Sequence, residues 1–207
     1  MARKPIRKGP WNKGRSIGRK APMTPEALDL VRRTLKAERA HRDLALLEVA
    51  VSTMLRGSDV LGLAVSHVRA PDRRIRERLT IRQKKTDRGL VVHIGERARA
   101  AIEQLIEAEG KTATDYLFTR AGDPHGAPLT TKTLRLLVKR WAEIARLDPD
   151  AFSSHSLRRT KAAEIYRRTG NLEAVRQLLG HSNIGMTQRY LGVEQEDALR
   201  LAEQHEI

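Results

Sequence analysis

Apolar residues recur along the chain in two spacings, and the change from one to the other separates helical from extended stretches. Leu28, Val31 and Leu35 follow Thr24-Pro25, a pair that caps and opens a helix, so an amphipathic helix begins at residue 25. A second begins near Arg42, with Leu44, Leu47, Val51 and Met54 or Leu55 inward and Arg56 at its end, where the helix dipole favours a cation. Between about 64 and 94 the alternation shortens to every second residue. Leu79 and Ile81, then Leu90, Val92 and Ile94, parted by Asp87-Arg88-Gly89, predict a hairpin. Helical spacing returns at about 96–109 (Ala98, Ala101, Ile102, Leu105) and about 130–147 (Leu134, Leu137, Val138, Trp141, Ile144). Asp115-Tyr116-Leu117-Phe118 reads as a short extended segment, and an apolar helical run ending in Leu178-Leu179 stops at Gly180. The expected fold class is α+β, mostly helical, with a small antiparallel β-sheet.

A chain of 207 residues can bury one good-sized core. Three segments are expected: a basic, flexible arm over 1–24, a folded domain over 25–192 and a helical tail over 193–207. The arm holds eight Lys and Arg, no acid, three prolines and three glycines. The tail is acidic and weakly amphipathic, with Leu199 and Leu201 among glutamates. Forty basic against 25 acidic residues leave a formal charge of +15, which suits an extended polyanion through counterion release. Aromatics are only 3%, too few for a surface that stacks single-stranded bases, so double-stranded DNA is the better partner. Without cysteine there is neither a disulfide framework nor a thiolate metal site. The start lacks an apolar signal core and no run approaches a membrane span, which reads as a cytoplasmic protein. Gly110-Lys111-Thr112 imitates a phosphate-binding loop, but Leu105 stands where that loop needs its first glycine.

The candidate chemistry lies between 154 and 190. His155 and Arg158 are three apart, so if Ser153 or Ser154 caps a helix there, both project from one face of its first turn. Helix N-termini and arginine forks both attract phosphate. His181 follows the Gly180 stop, and Tyr190 comes nine residues later. Taken singly, His181 reads as a capping or solvated group. Tyr116 and Tyr166 read as core, whereas Tyr190 stands among Gln188, Arg189 and Gly192, a polar context.

Taken in order, His155-Ser156-Leu157-Arg158, Leu179-Gly180-His181 and Tyr190 closely resemble the active-site signature of the tyrosine recombinases, the phage integrase family. Met54-Leu55-Arg56-Gly57-Ser58-Asp59-Val60 loosely resembles the family's earlier Gly-Leu-Arg-x-Ser-Glu-Leu segment, with Asp59 in place of glutamate. The resemblance implies a catalytic domain of that fold, acting as a site-specific recombinase or integrase through a 3′-phosphotyrosine intermediate, with no nucleotide or metal cofactor. It implies that Arg56 and Arg158 hold the phosphate, His181 bonds one of its oxygens, His155 takes or relays the tyrosine proton, and Tyr190 is the nucleophile. A hairpin lysine protonates the leaving 5′-oxygen in this family. Lys84 and Lys85 are both candidates, and strand parity with Leu79, Ile81 and Gln83, together with the Lys85-Thr86 pair, selects Lys85. The basic cluster is also expected to lower the tyrosine pKa. Arg159 departs from the motif and is expected to face solvent or DNA backbone. Family members assemble on DNA, so a homo-oligomer, a tetramer exchanging its C-terminal tails, is implied. Most members carry a helical DNA-clamping domain ahead of the catalytic one, and only the arm precedes Thr24 here. The alternative is a non-enzymatic architectural or regulatory DNA-binding protein derived from a recombinase.

Overall fold

The computed structural model describes residues 20–192 and, beyond them, Glu203. Most of the arm and nearly all of the tail lie outside the described residues. Helix α1, Pro25–Ala37, starts as expected, with the Thr24 hydroxyl accepting from the Ala27 amide and Leu28, Val31 and Leu35 buried. Helix α2, His41–Thr53, is buried along almost its whole length, Asp43 and Glu48 included. A helix covered on every side belongs at the centre of a domain, and α2 packs against α1 and also against α5 (Glu96–Glu109) and α7 (Ser154–Thr169). Its acids are not left bare, because Arg32 forks onto Glu48 and Arg42 pairs with Asp43.

Between α2 and α5 come two short helices, α3 (Gly57–Leu61) and α4 (Val65–Val68), then strands β1 (Arg78–Arg82) and β2 (Gly89–His93). The strands pair antiparallel with Leu79 opposite Val92 and Ile81 opposite Leu90. Two details differ from the sequence expectation. Residues 65–68 are helical because the Ala64 amide is satisfied by the His67 ring, closing a turn within the stretch read as extended. The connection is the Gln83–Arg88 segment, closed by bonds from the Gln83 amide to the Arg88 carbonyl and from the Asp87 amide to the Gln83 carbonyl, and Gly89 already belongs to β2.

Helix α6 spans Thr131–Ile144, followed by a 3-10 turn at Pro149–Ala151, then α7, α8 (Leu172–Leu179) and α9 (Ile184–Leu191). One large apolar cluster joins α1, α2, α5 and α6 around Trp141 and Phe118. A second, smaller one gathers Met54, Ala162, Val175 and Leu179, with Tyr166, Tyr190 and Leu191 packed against it. Tyr166 thus sits half-buried at the edge of this cluster. Tyr116 does not reach a core: it makes an isolated bridge with Ala64 and is 41% exposed, while its neighbours Leu117 and Phe118 take the buried side. Lys111, of the false phosphate loop, is buried and donates to the Thr119 hydroxyl and the Pro124 carbonyl.

Candidate active site

Three chain turns build the site. The first follows α2, where Met54 adopts the left-handed conformation (φ 54°) and redirects the backbone. Arg56 is therefore not on α2, as its position in the periodic run suggested, but at the N-cap of α3, where the helix dipole opposes its charge. Gly57 makes the approach possible: a Cβ there would come 2.9 Å from Leu134 Cδ2 and 3.4 Å from Ser154 Cβ. Arg56 is thereby set beside the start of α7.

The second turn is the N-terminus of α7. Ser153 is its cap, accepting from the His155 amide, while the Ser156 hydroxyl accepts from the Ser153 amide. Arg158 is 3% exposed, and its Nη2 donates to the Leu179 carbonyl at 2.6 Å. Burial pulls its pKa down to about 10, against the attraction of Tyr190 and Asp59. Its Nη1, and Nη1 of Arg56, are buried without a hydrogen-bond partner among the described residues. Two orphaned cationic donors in one cluster are costly unless an anion completes them.

The third turn links α8 to α9. Gly180 takes φ 62°, which ends α8, and a Cβ on it would stand 3.2 Å from the Gln83 side-chain Nε2, so the hairpin packs directly on this turn. His181 is 8% exposed and its Nδ1 lies 3.0 Å from the buried Thr187 hydroxyl. Burial first, then Arg158, Arg56 and Arg176, push its pKa down to about 4, so the ring is neutral at pH 7. It meets the Tyr190 ring edge-on at 5.5 Å between centroids. The Tyr190 hydroxyl donates to the His155 carbonyl at 3.2 Å.

The expectation that the cations lower the tyrosine pKa is not met. Burial outweighs Arg158, Arg159 and Arg56 and raises Tyr190 to about 12. The His155 imidazole is held below the ordinary histidine range by desolvation and then by Arg158, Arg159, Arg56 and Lys85. Since His155 is an exposed residue, cation repulsion is its firmer cause.

Arg56, His155, Arg158, His181 and Tyr190 thus converge, and Lys85 lies within the electrostatic reach of His155. Lys85 is in the turn beyond β1, so strand parity does not govern it, contrary to expectation. What separates the two lysines is their surroundings. Lys84 turns its ammonium onto Gly62, where a Cβ would come 2.8 Å from it, and its amide donates to Asp59. Gln83, fully buried, accepts from the Thr86 hydroxyl and so braces the turn that carries Lys85.

Arg159 corrects a further expectation. Rather than facing solvent or DNA, it is 8% exposed, donates to the carbonyls of Tyr190 and Lys20, and sets its guanidinium 5.1 Å from the centre of the Tyr190 ring. The sequence did not show the parts of Gln83, Thr187 and Arg159, because each depends on packing between elements: Gln83 lies against Gly180, Thr187 meets the His181 ring across the turn into α9, and Arg159 bonds carbonyls 139 and 31 residues away. The local signal for Thr187 is Asn183, a residue type that caps helices, whose side chain accepts from the Met186 amide at 3.0 Å and so places Thr187 in the first turns of α9.

Fold and cluster define a class: a mostly helical domain with one small hairpin, gathering arginines and histidines around a tyrosine hydroxyl. The sequence model of the phage integrase family matches residues 15–197, and the chain belongs to that family. Relatives include the tyrosine recombinase XerD of Proteus mirabilis, 32% identical over 170 residues covering 79% of this chain and 51% of the relative. The tyrosine recombinase XerC of Corynebacterium efficiens is 31% identical over 161 residues, covering 77% and 49%. The chain therefore spans about half the length of these relatives. Among solved structures, XerA recombinase superposes with a TM-score of 0.71 at 19% identity, covering 93% of this chain and 67% of that one. The XerH recombinase bound to its difH substrate gives 0.68 at 18% identity, covering 91% and 56%. These likenesses establish the fold. No helix among the described residues is long and apolar enough to cross a membrane.

Proposed function

We propose that this chain is a site-specific DNA recombinase or integrase that cuts and rejoins strands through a 3′-phosphotyrosine bond. The observation that carries this reading is the pair of unpartnered guanidinium nitrogens, Arg56 Nη1 and Arg158 Nη1, in one cluster with the Tyr190 hydroxyl. Placed on the non-bridging oxygens of a phosphodiester, they would stabilise the charge that grows toward the pentacoordinate transition state, each such contact supplying roughly 3 kcal/mol. His181 is neutral with Nδ1 3.0 Å from the Thr187 hydroxyl, and in the tautomer in which Nδ1 accepts from that hydroxyl it would offer Nε2–H to a phosphate oxygen.

Tyr190 Oη attacks phosphorus, the phosphorus–O5′ bond breaks, and the energy of the lost bond is conserved in the phosphotyrosine ester. With a pKa near 12, only about one tyrosine in 10⁵ is ionised at pH 7, so a base is needed. His155, kept neutral by its cationic neighbours, takes the phenol proton, and Lys85 gives one to the departing 5′-oxygen. No nucleotide or metal takes part in this sequence.

The partners that fit are double-stranded DNA and further copies of the chain, as a homo-oligomer, a tetramer on DNA. Residues 25–192 would be the catalytic domain, 1–24 a basic arm following flanking phosphates, and 193–207 a tail docking on a neighbouring copy. The location proposed with this activity is the cytoplasm. A purely architectural DNA-binding role leaves the two orphaned donors and the half-buried tyrosine beside them without a use. On a nicked duplex bearing the recognised site, the wild-type chain should form a denaturant-resistant protein–DNA adduct, and Tyr190→Phe none, with DNA affinity nearly unchanged. An adduct formed by the Phe variant sinks the assignment.

A further inference from the structure

Helix α9 carries Tyr190 but spans only eight residues, Ile184–Leu191, too short to hold itself in water. Its apolar packing falls within the small second cluster, and of its residues only Thr187 is fully covered. Something must fix its C-terminal end, where helix carbonyls lack partners. Arg159 does so. Its Nη2 donates to the Tyr190 carbonyl, its positive charge opposes the negative end of the helix, and its guanidinium lies beside the Tyr190 ring. The other arm of the same fork, Nη1, donates to the Lys20 carbonyl. The segment entering α1 is held by three more bonds: the Lys20 ammonium to the Asp150 carbonyl, the Ala21 amide to the Ala151 carbonyl at 3.3 Å, and the Met23 amide to the Thr160 hydroxyl at 3.0 Å.

We infer that Arg159 is a positioning residue for the nucleophile: one guanidinium docks the end of α9 on α7 and ties it to the segment that leads into α1. This rests on the reading of Tyr190 as nucleophile. Arginine suits the task because its planar fork serves two carbonyls and a ring face at once, and lysine offers a single point charge. The consequence is mechanical. A load on residues 20–23 reaches the tyrosine through one side chain, with no contact between that segment and the reacting phosphate required.

The test uses the full chain with Arg159→Met, which keeps the volume of the side chain, and Arg159→Lys, which keeps the charge. The charged and titratable groups facing Tyr190 are His155, Arg158 and Arg159 from α7, Arg56 from the turn before α3 and His181 from the turn before α9. Removing one of three cations should shift the rise of adduct formation with pH to higher pH, and should slow the reaction at pH 7 by about tenfold or more. Lysine should restore the pH profile but not the rate. Amide hydrogen exchange should quicken in residues 20–23 and in 184–192 together in the Met variant. A Met variant with the wild-type rate and pH profile overturns the inference, as does faster exchange confined to one of the two segments. Absence of an adduct from the wild-type chain counts instead against the nucleophile assignment, and the exchange measurement still judges the clamp.

Discussion

Met54 sets two physical effects against each other, and replacing it with glycine measures which is larger. Its backbone is left-handed (φ 54°), a conformation that costs a residue with a Cβ about 1 kcal/mol and glycine almost nothing. Its side chain is 3% exposed and is part of the cluster of Ala162, Val175 and Leu179 on which Tyr190 also packs. Truncating a buried methionine typically costs about 2–5 kcal/mol, including the cavity left behind. The glycine also gains freedom in the unfolded chain, which removes some of what the relaxed backbone returns. Met54→Gly should therefore destabilise the domain by about 2 kcal/mol, roughly a thirtyfold fall in the folded-to-unfolded ratio. Met54→Leu, which keeps volume and strain alike, should cost less than about 1.5 kcal/mol. Urea denaturation of both variants gives the two differences from midpoints at constant slope. Because the cavity opens under Tyr190, adduct formation by the glycine variant should fall further than its folded fraction accounts for. Equal or greater stability of Met54→Gly would refute this account and mean that backbone strain, not packing, dominates the turn into Arg56.

Three further outcomes are expected. Lys85→Ala should slow strand cleavage on the order of 100-fold and be rescued by a substrate whose 5′ leaving atom is sulfur, while Lys84→Ala, whose ammonium lies on Gly62, should show neither effect; rescue of the Lys84 variant instead would exchange their roles. His181 has a folded-state pKa of about 4 against 6.5 for the free side chain, so between those values the unfolded chain binds more protons, and stability must fall as pH drops through that window, by at most about 3 kcal/mol from this residue. Denaturation curves at pH 7, 5.5 and 4 should show the fall, His181→Asn should flatten it, and an unchanged slope in that variant would show that the ring is not buried among cations. Thr187→Val should leave folding nearly intact yet weaken DNA cleavage, since the His181 Nδ1 loses its 3.0 Å partner and its tautomer is no longer fixed; wild-type cleavage by this variant would remove Thr187 from the site.

Local signals in the sequence determined the elements. Thr24-Pro25 caps α1, Gly180 ends α8, and Ser153 begins α7, because caps and stops depend on backbone chemistry within one helical turn. The alternation of Leu79, Ile81, Leu90 and Val92 likewise showed which face of the hairpin meets the core, since a one-residue slip would turn all four away, while the pairing itself came from the Gln83–Arg88 turn. Motif order was enough to pick out Arg56, His155, Arg158, His181 and Tyr190 as a set, but spacing along a chain carries no charge interactions across it. Only the tertiary structure decided that the half-buried Tyr190 is raised by desolvation against the pull of three cations, and that Arg56 caps α3 instead of ending α2. The same holds for Arg159, next to a motif residue in sequence and read as solvent-facing. Its neighbours, Lys20 and Tyr190, stand 139 and 31 residues away, and only packing α9 and the entry to α1 against the same face of α7 could bring both to one guanidinium.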